Sequence, residues 1–239
     1  EEGDDCPACF TDKGKQITRA IFGEGPNREE IIGKGVAKSY GVGVDGFNIS
    51  SIQFALHYMF EDDNILNNFL TNVSECTKIG GYFIGTCYNG KKVFELLKEK
   101  ELNESVVIFD HDKKNKLLEI TKKYDREDYS DNISCLGYGI DVFQESINKT
   151  FREYLVNFDY LISIMEKYGF IQLTSEEAKQ INLINGIGSF RELYNLMTTE
   201  TNRDPNKQKE YGSAYLMTRD QKTISFLNNY FIFKKVRNV

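Results

Sequence analysis

The side chains best placed for chemistry stand at the ends of two apolar runs. Gln53, His57 and Tyr58 close or follow the run Phe47 to Phe54, and Tyr88 and Asn89 follow Tyr82 to Thr86. Two amides, an imidazole and two phenols can hydrogen-bond and stack against a flat ligand. No His-Asp or Cys-His pair that would activate a nucleophile is legible near them. The elements that must position these residues read as strand, helix, strand. Phe47 to Phe54 is rich in β-branched and aromatic types, as a buried strand should be. Glu61, Asp62 and Asp63 suit the positive end of a helix. Ile65, Leu66, Phe69, Leu70 and Val73 then recur at helical spacing. Gly80 and Gly81 are expected to stop that helix, and Tyr82 to Thr86 forms the second strand. A unit of this length implies parallel strands with a right-handed crossover. Ligands in such sheets bind beyond the carboxyl ends of the strands.

The chain of 239 residues is long enough for a substantial core, with 40% hydrophobic and 28% charged residues. A formal net charge of −6 argues against broad phosphate binding, so any RNA contact must be local. No apolar run is long enough to span a membrane and no signal peptide is legible. Five cysteines and two histidines are present. Cys6-Pro7-Ala8-Cys9 is a lone CxxC, which without a second pair gives poor support for a metal site. The cysteines are read as free thiols, the ordinary state inside a cell. Residues 1–15 read as a flexible acidic segment.

Further along, Gln16 to Phe22 could be a short helix or strand, and Asn27 to Tyr40 a helix and loop. Lys91 to Lys100 is amphipathic, with Val93, Phe94, Leu96 and Leu97 inward. Ser105 to Phe109 and Leu117 to Tyr124 form a hairpin around the charged turn Asp110 to Lys116. Gly137 to Phe143 is a strand. Phe151 to Tyr168 reads as a long helix entered through Glu153-Tyr154-Leu155-Val156 and ended by Gly169. Phe170 to Thr174 is a strand, Ser175 a helix cap, Phe190 to Thr199 a helix and Arg203 to Tyr211 a polar loop. Ile224 to Val236 closes the chain as an antiparallel strand.

The run IQFALHYMFE, followed about twenty residues later by GGYFIGT, resembles the mRNA cap guanine-N7 methyltransferases. FREYLVNF and the ending YFIFKKVRNV look most like the C-terminal methyltransferase domain of giant-virus mRNA-capping enzymes. The resemblance implies an α/β fold: a Rossmann-like S-adenosylmethionine-dependent methyltransferase sheet with helices on both faces. The family's acidic, glycine-rich donor loop has no clear counterpart. Phe22 to Pro26 bears glycines but follows no strand, and Tyr40 to Gly46 reads as a lead-in loop. Residues 16–239 are therefore expected to be the C-terminal part of such a domain, with its first strands upstream.

By the same resemblance, Gln53, Phe54 and Tyr58 would lie against S-adenosylmethionine. His57, Tyr58, Tyr88, Glu153 and Tyr230 would hold the cap guanine. One carboxylate at Glu153 can accept from both the N1 and N2 donors of guanine, which distinguishes it from adenine. Tyr88 stands where the family has proline. Lys34, Lys38, Arg152 and the cluster Lys113, Lys114 and Lys116 are candidates for the cap phosphates. Implied partners are 5′-capped mRNA, upstream guanylyltransferase and triphosphatase domains, and a stimulatory subunit, with no membrane. The implied location is the cytoplasm: host cytoplasm, viral factory or virion. A non-catalytic subunit that binds the cap or stabilises a partner is the alternative, and a methyltransferase acting on another substrate a third reading.

Overall fold

The computed structural model describes residues 11–239. The CxxC at Cys6 and Cys9, and residues 1–10 of the segment expected to be flexible, lie outside the described residues. Thr11 accepts a hydrogen bond from the Gly14 amide and caps helix α1, Asp12–Ile21. Residues 12–15, expected to be flexible, are thus the first turn of a helix. Two short helices follow, α2 (Glu29–Ile32) and α3 (Lys34–Lys38).

Strand β1, Phe47–Gln53, leads through a 3₁₀ turn, Leu56–Phe60, into helix α4, Asp63–Cys76. Asp62 caps α4, its carboxylate accepting from the Ile65 amide at 2.9 Å. The helix does not run to Gly80. Strand β2, Thr77–Tyr88, begins directly after Cys76 and contains both glycines. The pairing with β1 is parallel and jumps from Phe47 opposite Thr77 to Ile49 opposite Tyr82. Gly80 takes φ +79°, and a Cβ on Gly81 would stand 2.9 Å from the Phe47 carbonyl oxygen. The glycines therefore form a bulge that passes close to β1, and do not end a helix.

Helix α5 (Gly90–Leu96) follows, then the expected hairpin of β3 (Ser105–Phe109) and β4 (Lys116–Lys122). β5 (Gly139–Gln144) pairs with β4 and with β6, Lys149–Tyr154, to complete a second, antiparallel sheet in the order β3-β4-β5-β6. The long helix expected from Phe151 is corrected here. Residues up to Tyr154 are extended because β5 takes up their backbone hydrogen bonds, and the helix α6, Phe158–Lys167, starts only after Asn157. Glu153 is consequently a strand residue.

Gly169, at φ +82°, ends the turn after α6. β7 (Phe170–Gln172) follows, then α7 (Ser175–Gln180), whose cap is Thr174 in a reciprocal box with Glu177 rather than Ser175. Next come β8 (Ile187–Ser189), α8 (Phe190–Arg203), α9 (Lys207–Tyr211) and α10 (Arg219–Ser225). The segment expected as a loop at residues 203–211 thus holds a helix. β9, Asn228–Lys235, returns antiparallel against β2, as expected. The first sheet is mixed, in the order β1-β2-β9-β7, with β8 also on β9.

Two apolar cores result. One lies between the first sheet (Phe83, Phe231, Phe233) and the helices α4 and α6 (Leu66, Leu70, Leu161, Ile164). The other joins α5 (Val93) to the second sheet (Leu118, Ile120, Ile140, Val142). Tyr88, at the carboxyl end of β2, belongs to the second core, so the strand end reaches from one sheet to the other.

Candidate functional site

A cavity of about 460 Å³ opens where the two sheets meet. β1 and the 3₁₀ turn contribute Phe54, His57 and Tyr58, β2 contributes Tyr88, and β6 contributes Phe151 and Glu153. Five of the sequence-expected residues, nearly a hundred positions apart at the extremes, share one wall system.

Phe54 sits at φ +52°, a conformation that costs a side-chain-bearing residue energy. Its ring stays 54% exposed and meets Phe190 edge-on, with centroids 6.1 Å apart. Tyr58 lies edge-on to His57, at 4.3 Å between centroids. Tyr88 is buried, and its hydroxyl accepts from the Gln144 amide at 2.8 Å. Burial and the nearby Glu153 push its phenol well up, so it remains a neutral ring at any working pH.

His57 and Glu153 are only 5% and 7% exposed. Their nearest atoms, Nδ1 and Oε2, stand 3.6 Å apart, too far for a hydrogen bond. Both His57 ring nitrogens and Glu153 Oε2 have no partner. Burial lowers His57 to about 4 and raises Glu153 to about 7. At neutral pH the imidazole is uncharged and the carboxyl is near half ionised. Buried polar atoms almost always find partners, so three orphans facing one cavity mark a place built for a ligand with donors and acceptors on its edge.

Asn228 adds a fourth buried orphan, its Oδ1, from the start of β9. Sequence reasoning pointed instead to Tyr230, two residues on. The structure does not bring Tyr230 to the cavity. Its hydroxyl donates to the Asn185 carbonyl at 3.0 Å, and its ring covers Gly188. Tyr230 was expected from the resemblance, which implies a tyrosine over the guanine in this segment; two residues along the strand keep the same face, and Asn228 is the one that lines this cavity. Gln144, Ile147, Phe151 and Ile224 also line the cavity and were not singled out. None carries a local pattern that marks it, since β5, β6 and α10 meet there only through tertiary packing.

A family model, the mRNA (guanine-N(7))-methyltransferase domain, matches residues 29–236. The chain belongs to this family. Among curated relatives, a probable mRNA-capping enzyme of Acanthamoeba polyphaga mimivirus is 27% identical over 223 residues, covering 86% of this chain and 18% of that protein. The mRNA cap guanine-N(7) methyltransferase of Saccharomyces cerevisiae is 26% identical over 219 residues, covering 87% of this chain and 47% of that protein. The chain thus spans less than half the length of either relative.

Within this member of the family, Gln53 ends β1 outside the cavity. Its Oε1 accepts from the Thr86 hydroxyl at 2.7 Å and its amide donates to Ser51 Oγ at 2.9 Å. It remains exposed at the carboxyl end of the parallel pair. The two glycine-bearing segments do not form a strand-to-helix donor loop: 22–26 follows helix α1, and 40–46 is a turn entering β1. Among the described residues, Gln53 and Phe54 stand exposed at the carboxyl end of β1.

Three of the six phosphate candidates are engaged in ion pairs. Arg152 pairs with Asp141 at 2.5 Å, Lys116 with Glu119 at 2.5 Å and Lys114 with Asp112 at 3.8 Å. No group of three or more His, Cys, Asp or Glu that could hold a metal occurs among the described residues. None of their helices is long and apolar enough to cross a membrane.

Proposed function

We propose that this chain forms the acceptor side of an mRNA cap guanine-N7 methyltransferase. The observation that carries the reading is the unpartnered Glu153 carboxyl facing unpartnered His57 inside an aromatic-lined cavity. Guanine presents N1–H and N2–H₂ on one edge, and an ionised Glu153 accepts both. His57, neutral and free at both nitrogens, donates to O6. Phe54, Tyr58 and Phe151 give faces for the flat base. Tyr88, in the family's proline position, presents its ring and is steadied by Gln144.

S-adenosylmethionine supplies a methyl group on a sulfonium. Guanine N7 has a free lone pair, so no general base is required. What these residues do is hold the ring so that N7 faces the end of β1, where Gln53 and Phe54 would meet the donor. The remaining donor contacts come from residues outside those described. We place them on strands that add to the open edge of β1, within a longer polypeptide carrying guanylyltransferase and triphosphatase domains. A stimulatory subunit and a site of action in the cytoplasm, viral factory or virion belong to the same reading.

Calorimetric titration with the cap dinucleotide GpppG and with S-adenosylhomocysteine tests it. GpppG is expected to bind this chain, and in the longer polypeptide Glu153→Ala is expected to abolish that binding and the methylation of capped RNA while leaving donor binding nearly intact. Activity that survives within a few-fold in Glu153→Ala removes the guanine-edge assignment. Cap binding by the intact polypeptide with no methyl transfer supports the second reading, a cap-holding subunit.

A further inference from the structure

A larger hollow, about 900 Å³, lies beside the guanine cavity between α5, α8 and α10. We propose that it binds the phosphodiester backbone of the RNA that follows the cap. The inference rests on the cap reading only for which end of the RNA is held next door.

Four cations line the hollow: Lys92, Arg191, Arg219 and Lys222. Lys92, Arg191, Arg219 and Lys222 take part in no ion pair among the described residues. The single carboxylate on the lining, Glu95, reaches instead toward Lys98 at 3.6 Å. In a chain of net charge −6, four unneutralised cations in one concavity are not a compositional background. Like charges crowded together cost energy unless an anion joins them. Burial and then Arg191 weaken the hold of Lys92 on its proton, with nearby Glu192 acting the other way.

Three of the four cations are also held in place. The Arg191 guanidinium lies 4.9 Å over the Phe226 ring, and the Lys222 ammonium 4.4 Å over Tyr194. Lys92 donates to the Phe226 carbonyl at 2.9 Å and to Asn229 Oδ1 at 3.3 Å. Neighbouring Lys91, by contrast, is consumed by Asp131 and Asp159 at 2.6 and 2.7 Å. Pre-positioned cations lose little entropy when phosphates arrive.

The two cavities share a wall. Ile224 and Asn228 face the guanine cavity, while Thr223 and Phe226 face the hollow. A chain leaving the guanine would cross α10 into the basic surface. Arg219 and Thr223 also border a mixed-charge hollow at the β3–β4 turn, where His111 and Lys113 stand beside Asp110 and Asp220. Lys113 was among the sequence candidates, whereas Lys92, Arg191, Arg219 and Lys222 were not.

The test is fluorescence anisotropy with RNA of roughly twelve nucleotides, capped and uncapped, labelled at its 3′ end. Arg191→Glu with Arg219→Glu changes two exposed side chains and should weaken binding of both RNAs about tenfold or more. It should also flatten the salt dependence by about two counterions, while GpppG binding stays unchanged. Lys167→Glu with Lys179→Glu makes the same charge change on α6 and α7 and should leave RNA binding within about twofold. An unchanged RNA affinity in the first variant overturns the proposal, and so does an equal loss in both. Equal binding of capped and uncapped RNA, with none of GpppG, instead overturns the cap reading, and the charge-reversal result still decides the hollow.

Discussion

Burial sets the protonation of Glu153 and His57 in opposite directions, and the consequences are measurable. Glu153 in the fold titrates at about 7, above its ordinary 4.5. The folded state therefore holds that proton more tightly than the unfolded chain. Its contribution to stability is full below about pH 4.5 and is lost as pH rises through 7. His57 is lowered to about 4 from 6.5, so its contribution is present above 6.5 and lost as pH falls toward 4. Glu153→Gln should raise the Tm of the ligand-free protein at pH 8, by up to about 3 kcal/mol of stability. The gain should fall to about a quarter of that at pH 5 in the same thermal melts. A gain of equal size at both pH values would mean the carboxyl titrates normally. Cap binding carries the opposite slope. On the proposed reading guanine donates to the ionised carboxylate, so affinity for GpppG should rise from pH 6 to 8 and then level off. Calorimetry that finds affinity falling over this window would mean Glu153 binds as the neutral acid.

At the scale of elements, two junctions set the cavity. Asn157 is fully buried between β6 and α6. Its Oδ1 accepts from the Asp159 and Tyr160 amides, both at 3.1 Å, and its amide donates to the Ser130 carbonyl and Asp131 Oδ1. One side chain thus caps α6 and ties down the loop that Lys91 also grips. Asn157→Ala should cost about 2–3 kcal/mol in denaturant unfolding, more than an ordinary cap. A loss below about 1 kcal/mol would mean the loop contacts are made elsewhere. Gly85 controls the other junction. A Cβ there would stand 2.3 Å from the Ile52 carbonyl oxygen and 2.4 Å from the Phe231 ring. Gly85→Ala must push β1 or β9 away from β2 and should destabilise by about 2–4 kcal/mol. Wild-type melting of that variant would show that the strands can separate freely at this rung.

At the scale of the molecule, the cavity is a product of two sheets that sequence presents as one series of strands. β1 pairs only with β2 among the described residues, and Ile49 on it and Phe54 just after it are more than half exposed. A parallel strand left open on one side is unusual, because parallel sheets are normally buried. Under the proposal that upstream strands add there, β1 amides should exchange with deuterium quickly in this chain. They should slow when it is joined to its longer polypeptide. Unchanged exchange would move the donor-binding strands away from this edge.

The sequence by itself determined the parallel β1–α4–β2 unit, the β3–β4 hairpin, the returning β9 and four of the residues on the cavity wall near β1 and β2. Those follow from local periodicity and from a motif in which spacing along the chain equals spacing in space. It also identified Glu153, though as a helix residue. Extended structure at 149–154 depends on hydrogen bonds to β5, which no local pattern announces. The glycines at 80 and 81 looked like a helix stop because a bulge and a C-cap ask for the same positive φ. Only the tertiary structure decided that Asn228 and not Tyr230 faces the cavity. It alone gathered Lys92, Arg191, Arg219 and Lys222, which stand on three helices, around one hollow. Contacts between elements far apart in sequence are set by packing of the two cores, and packing is a property of the whole chain.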